Sequence, residues 1–167
     1  MTGIIRKCMK ITVITVGKLK ESFYRQAVAE YAKRLGRYCK LELREVEDEK
    51  TPDGASGAQC EQILKREGER IRRFLPDNAY VVTLEIEGRR FTSEAFADQI
   101  NKLFVGGTGS LFFVIGGSLG LHHTIKERSD LAVSFSDMTF PHQLMRVILL
   151  EQIYRAYRII NKEPYHK

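Results

Sequence analysis

The sequence predicts an α/β fold, a parallel or mostly parallel sheet flanked by helices. Two observations carry this. Short apolar runs, the first of them β-branched throughout, alternate with longer stretches of helical period. Strands separated by helical segments pair in parallel, because a parallel pair needs a crossover. The 167 residues, 43% hydrophobic and 29% charged, suit one domain with its own core. No repeat, low-complexity segment or second-domain boundary interrupts the pattern.

Ile11–Val16 (ITVITV) reads as a buried strand ending at Gly17. Glu21–Leu35 follows as a helix, with Phe23, Ala27, Tyr31 and Leu35 spaced four apart on one expected inner face. Leu41–Val46 alternates as a strand nearer an edge. Residues 47–57 form a polar loop punctuated by Pro52, Gly54 and Gly57. Cys60–Leu75 is a charged helix with Ile63, Leu64, Ile71 and Phe74 expected inward, stopped by Pro76. Tyr80–Ile86 (YVVTLEI) is a third strand. Ser93 is the expected N-cap of a helix to about Phe104. Gly106, Gly107 and Gly109 break the chain before a fourth strand, Leu111–Ile115. A short helix at Thr124–Arg128 leads to a fifth strand, Leu131–Ser134. Pro141 opens the longest helix, to about Asn161, at the position proline favours. Its apolar face, from Leu144 to Ile160, is wide enough for a core and a partner. Residues 1–8, ahead of a second methionine at position 9, read as an extension outside the fold, so the domain spans 9–167.

No apolar run approaches the roughly 18 residues of a membrane span, and no secretory leader is seen. Cys8, Cys39 and Cys60 are odd in number and lack metal-ligand spacing. They read as free thiols in a reducing, cytoplasmic setting. With four histidines, two of them adjacent, no metal site is expected. The net charge of +6 and pI near 9.3 suit a polyanionic partner through phosphate contacts, or simply a basic surface.

Ligands of open α/β sheets sit at the carboxyl ends of strands. Three segments stand out there or at the terminus. Gly116-Gly117-Ser118-Leu119-Gly120 follows the fourth strand. Its glycines allow close backbone approach, though such a turn is more often plain, and it is neither the dinucleotide fingerprint nor a Walker loop. Residues 135–142 (FSDMTFPH) join the fifth strand to the long helix and mix aromatics with hydroxyls, either a buried loop or a seat for a flat heteroaromatic ligand. The tail NKEPYHK follows a basic helix face of Arg155, Arg158 and Lys162. Its Tyr165 and His166 are a frayed end or a surface for an unpaired base.

Together IGGSLGL at 115–121, VSFSDMTFPHQLMRVILLEQIYRA at 133–156, the terminal PYHK, ITVGKLK at 14–20 and VTLEI at 82–86 resemble the ribosomal RNA large-subunit methyltransferase H family. The resemblance spans residues 9–167. The extension at 1–8 lies outside it, and Leu119 stands where the family pattern suggests a smaller or polar residue. The resemblance implies a single-domain SPOUT α/β knot, a homodimer and S-adenosylmethionine as cofactor. It also implies N3-methylation of a pseudouridine in helix 69 of 23S rRNA within the ribosome. By position, the cofactor contacts fall on Leu84, Gly116, Phe135, Ser136, Asp137, Met138, Thr139 and Phe140.

Methyl transfer from a sulfonium needs no metal, since the leaving group is already activated. It needs alignment, removal of the N3 proton and stabilisation of the anion that results. His142 is the candidate base and Arg146, four residues on, the candidate anion stabiliser. Arg155, Tyr165 and His166 are the expected RNA surface. Two other readings stay open at this point: a SPOUT enzyme acting on transfer RNA, and an RNA-binding module without catalysis.

Overall fold

The computed structural model describes residues 8–165. Along them run β1 (Lys10–Val16), α1 (Ser22–Leu35), β2 (Lys40–Val46), α2 (Gly57–Arg72), β3 (Tyr80–Arg90), α3 (Ser93–Val105), β4 (Ser110–Ile115), α4 (His123–Arg128), β5 (Leu131–Ser134) and α5 (His142–Ile160). The strands form one sheet in the order β2-β1-β4-β3-β5, and every pairing is parallel.

The period of two along each strand divides the core. Ile11, Val13, Leu111, Phe113, Val82 and Val133 meet α1, α3 and α5 on one face. Ile14, Val16, Phe112, Val114 and Val81 meet Ile71 of α2 and Ile125 of α4 on the other. Strands covered on both faces read as continuous apolar runs, which is why β1 and β4 are so plain in the sequence. β2 lies at the edge, as its alternation suggests.

Several local expectations shift. Helix α2 starts at Gly57 because Ser56 and Gln59 form a reciprocal capping box, so Gly57 is helical. It ends at Arg72, which leaves Phe74 outside the helix. Phe74 is 40% exposed beneath the guanidinium of Arg44. In α1 the buried residues are Val28 and Leu35, and Phe23 is exposed. The cap of α3 is Thr92, whose Oγ1 accepts the Ala95 amide at 3.1 Å. Ser93 instead donates to Gln152 of α5 at 2.9 Å.

The main departure is in β3, which runs on to Arg90. It pairs with β4 only over Tyr80–Thr83. It then continues along β5, with an irregularity between Leu84 and Arg89. Gly88 makes the crossing feasible, since a Cβ there would lie 2.8 Å from the backbone of Ala132 and Val133. Strands β3 and β4 therefore part at their carboxyl ends, and the fork between them is the mouth of the site.

Candidate functional site

A cleft that is partly open to solvent fills the fork. Its walls are the ends of β3 and β4, the 116–120 turn, the 135–140 loop and the start of α5. Leu84, Gly116, Phe135, Ser136, Met138, Thr139, Phe140 and His142 all line it. Three distant segments of the sequence thus meet in one place.

The glycine turn is shaped by its own backbone. Gly117 and Gly120 form an isolated antiparallel bridge, and Gly120 has a φ of 85°, a left-handed conformation natural to glycine. A Cβ on Gly116 would sit 2.6 Å from the Gly120 carbonyl carbon. Gly116 is therefore required by the turn itself, before any ligand is considered. The facing loop is held by Ser134, which donates to the Ser136 carbonyl at 3.1 Å, and by Ser136 Oγ, which accepts the Met138 amide at 3.0 Å. Phe135 turns edge-on to Phe96 of α3, so it belongs partly to the core and partly to the cleft wall.

Asp137 is not among the lining residues. It projects outward and pairs with Arg90 on the exposed surface. Arg146 is also absent from the wall. It is 4% exposed, donating to the carbonyls of Val16 and Gly17 at 3.1 and 2.6 Å, with Glu45 at 3.7 Å. Gly17, at a φ of 84°, turns the chain off β1 so that its carbonyl meets this guanidinium. Burial pushes the guanidinium pKa down, and Glu45 and Asp48 pull it back up.

His142 is half-buried on the first turn of α5. Burial holds its imidazole below the ordinary value of 6.5; the Arg146 and Lys20 charges add to this and Asp48 opposes it. A neutral imidazole at the rim of a cleft can accept a proton. Glu85, the residue after Leu84, also lines the cleft. Its carboxylate accepts from Thr83 Oγ1 at 2.6 Å and faces Lys126 at 3.7 Å. The sequence reading of Tyr80–Ile86 as a strand did not single it out.

The tail is tethered through Tyr165. Lys162 takes a left-handed φ of 55° after α5 and reverses the chain. Glu163 accepts from Tyr38 at 2.5 Å and pairs with Arg158, and Arg158 donates to the Pro164 carbonyl at 2.9 Å. Tyr165 stands edge-on to Tyr154 with ring centroids 5.0 Å apart. It lies under Arg155 at 4.7 Å, and its hydroxyl donates to Glu151 at 3.2 Å. Arg155 is bound to the same carboxylate at 2.5 and 3.0 Å. The partners of Tyr165 on α5, Glu151, Tyr154 and Arg155, lie nine to thirteen residues beyond His142, about 14 to 20 Å along the helix. Tyr165 and His142 therefore belong to different regions of one chain. His166 lies outside the described residues, as do residues 1–7.

The parallel sheet, with a cleft at its carboxyl edge between a glycine turn and an apolar hydroxyl-bearing loop, defines a protein of the α/β class. The family model described as predicted SPOUT methyltransferase matches residues 9–166, and the chain belongs to that family. It is 60% identical over 159 residues to a ribosomal RNA large subunit methyltransferase H of Bifidobacterium adolescentis, covering 95% of this chain and all of that protein. Relatives of the same name from Clostridium tetani and Clostridium beijerinckii are 55% and 53% identical over the same shares.

Proposed function

We propose that this protein uses S-adenosylmethionine to methylate ribosomal RNA of the large subunit, at N3 of a pseudouridine in helix 69 of 23S rRNA. In this reading it acts in the cytoplasm, on the ribosome, as a homodimer whose C-terminal segment is threaded into a trefoil knot. The observation that carries the reading is the convergence of Leu84, the 116–120 turn and the 135–140 loop on one cleft.

The residues present fit S-adenosylmethionine. The cleft offers an apolar seat for a flat base in Leu84, Ile115 and Phe140, and hydroxyls on Ser136 and Thr139. It also offers a carboxylate, Glu85, for the cationic end of the cofactor. When bound, the cofactor supplies a methyl group on positively charged sulfur. The chain supplies alignment and proton handling. His142 at the rim, kept neutral by burial and by Arg146, takes the N3 proton of the base. Arg146, engaged by the carbonyls of Val16 and Gly17, fixes the end of β1 and biases His142 through its charge. It does not reach the reacting atoms itself.

The tail and its basic helix face form the RNA surface in this reading. Tyr165 sits about three helical turns from His142, so in this reading it serves the partner's cleft. Half-buried Leu144 and Ile148, one turn apart on α5, support an interface along that helix.

Titration with S-adenosylhomocysteine should give one site per chain, and mapping of modified bases in rRNA from a deletion strain should show one methyl group missing from helix 69. A strain whose rRNA keeps every methyl group would overturn the substrate. Absence of S-adenosylhomocysteine binding would overturn the cofactor. Light scattering should give a dimer at micromolar concentration.

A further inference from the structure

We propose that Glu61, His122 and His123 form a binding site for a divalent transition-metal ion, with zinc the best match, on the face of the sheet opposite α5. The three side chains offer one carboxylate oxygen and two imidazole nitrogens, all within 4.8 Å of one another. Glu61 comes from α2, 61 positions before His122. The chain therefore has no local metal motif, and the fold alone assembles the set.

His122 is the anchor. It is 6% exposed, fixed against α2 where Gly68 leaves room. A Cβ on Gly68 would lie 3.0 Å from the Cβ of His122. Its Nε2 points at Glu61 Oε1 across 2.9 Å, and its Nδ1 is 2.8 Å from Thr124 Oγ1. His123 is repeated in the same pattern, with Nδ1 3.3 Å from Glu127 and its ring 4.2 Å from that of His122. Metal-ligating histidines characteristically give the second ring nitrogen to a hydroxyl, carbonyl or carboxylate, which fixes the tautomer. Both histidines have that partner on Nδ1.

A helix cap alone explains less. His122 does accept the Thr124 amide, at 3.4 Å, but a cap needs neither a buried Nε2 aimed at a carboxylate nor a second imidazole beside it. On binding, His122 switches tautomer: the Nε2 proton is lost to solvent, Nδ1 gains one and donates it to Thr124 Oγ1 in place of accepting the Thr124 amide, and the ion takes the freed Nε2. Two imidazoles and a carboxylate suit zinc, nickel or copper over magnesium or calcium. Ligand atoms about 3.3 Å apart are wanted around tetrahedral zinc, so the exposed His123 ring swings inward while the His122–Glu61 pair opens slightly. Water completes the shell. The site begins two residues after Gly120 and would clamp the exit of the cleft's glycine turn to α2.

The test is calorimetric titration of the full-length, untagged, metal-free protein with zinc alone, with magnesium for comparison. One zinc per chain is expected, and no magnesium. Glu61→Gln and His123→Ala each remove an exposed ligand and should fold normally. Each should weaken zinc binding at least tenfold. His122→Asn keeps a helix-capping acceptor and should abolish binding. Zinc should also raise the thermal midpoint of the unsubstituted chain and leave that of His122→Asn unmoved. Zinc binding that is absent, or that persists unchanged in Glu61→Gln and His123→Ala, would overturn the proposal.

Discussion

The two ends of α5 hold their polar side chains in different ways. At the first end, Arg146 is spent on the backbone carbonyls of Val16 and Gly17, and the pKa of His142 is lowered by its surroundings. At the second end, Arg155, Arg158 and Tyr165 are tied to other side chains, chiefly Glu151 and Glu163. A backbone carbonyl cannot turn away without disturbing the strand that carries it. A glutamate can exchange its arginine for a phosphate at modest cost, because partly exposed ion pairs are weak. The first end is therefore a fixed part of the cleft, and the second is a surface whose partners are replaceable.

Substitutions can break or sharpen this contrast. The largest effect is expected at the cleft the first end faces. Gly116→Val forces a side chain into the Gly120 backbone, so S-adenosylhomocysteine binding should vanish in calorimetry while circular dichroism still reports a folded sheet. Unchanged affinity would remove the turn from the site.

Arg146→Met should come next. It strands the Val16 and Gly17 carbonyls in a buried setting, which costs about 3 kcal/mol in urea unfolding. The comparable change at the other end, Arg155→Met, should cost less, about 1–2 kcal/mol, because Glu151 keeps its hydrogen bonds from Gln152 and Tyr165. Equal losses would erase the distinction between the two ends.

Deleting Tyr165–Lys167 should lower methylation of ribosomes roughly 5- to 150-fold, the value of one stacked base at about 1–3 kcal/mol, while S-adenosylhomocysteine affinity holds. A full methylation rate in the truncated protein would make the tail a purely structural strap.

The pH dependence of kcat/KM should show an acid limb below 6.5. His142 must be neutral to accept a proton, and its pKa is lowered, so activity is present above that lowered value and lost as pH falls through it. His142→Gln should lower the rate and remove the limb. The smallest effect is expected at Asp137. It pairs with Arg90 where both are well exposed, so Asp137→Asn should shift stability by no more than about 0.5 kcal/mol.

The order of elements was legible in the sequence, because apolar runs such as ITVITV and LFFVI and the punctuation around them are local signals. Much of the cleft lining was legible too. The glycine turn and the FSDMTFPH loop are recognisable as unusual where they stand, and Leu84, Gly116 and the 135–140 loop apart from Asp137 do line the cleft, whereas Arg146 does not. Strand pairing and long-range partners were not legible. Nothing local in VVTLEIEGRR says that the strand leaves β4 at Thr83 and continues beside β5. Whether Arg146 faces a ligand or the end of β1, and whether Tyr165 is free or packed on Tyr154, depends on which surfaces the fold brings within hydrogen-bond reach. Glu61 and the two histidines are the extreme case. Hydrophobic period acts over a few residues and is written in the chain, whereas the meeting of polar groups far apart in sequence exists only once the core has packed.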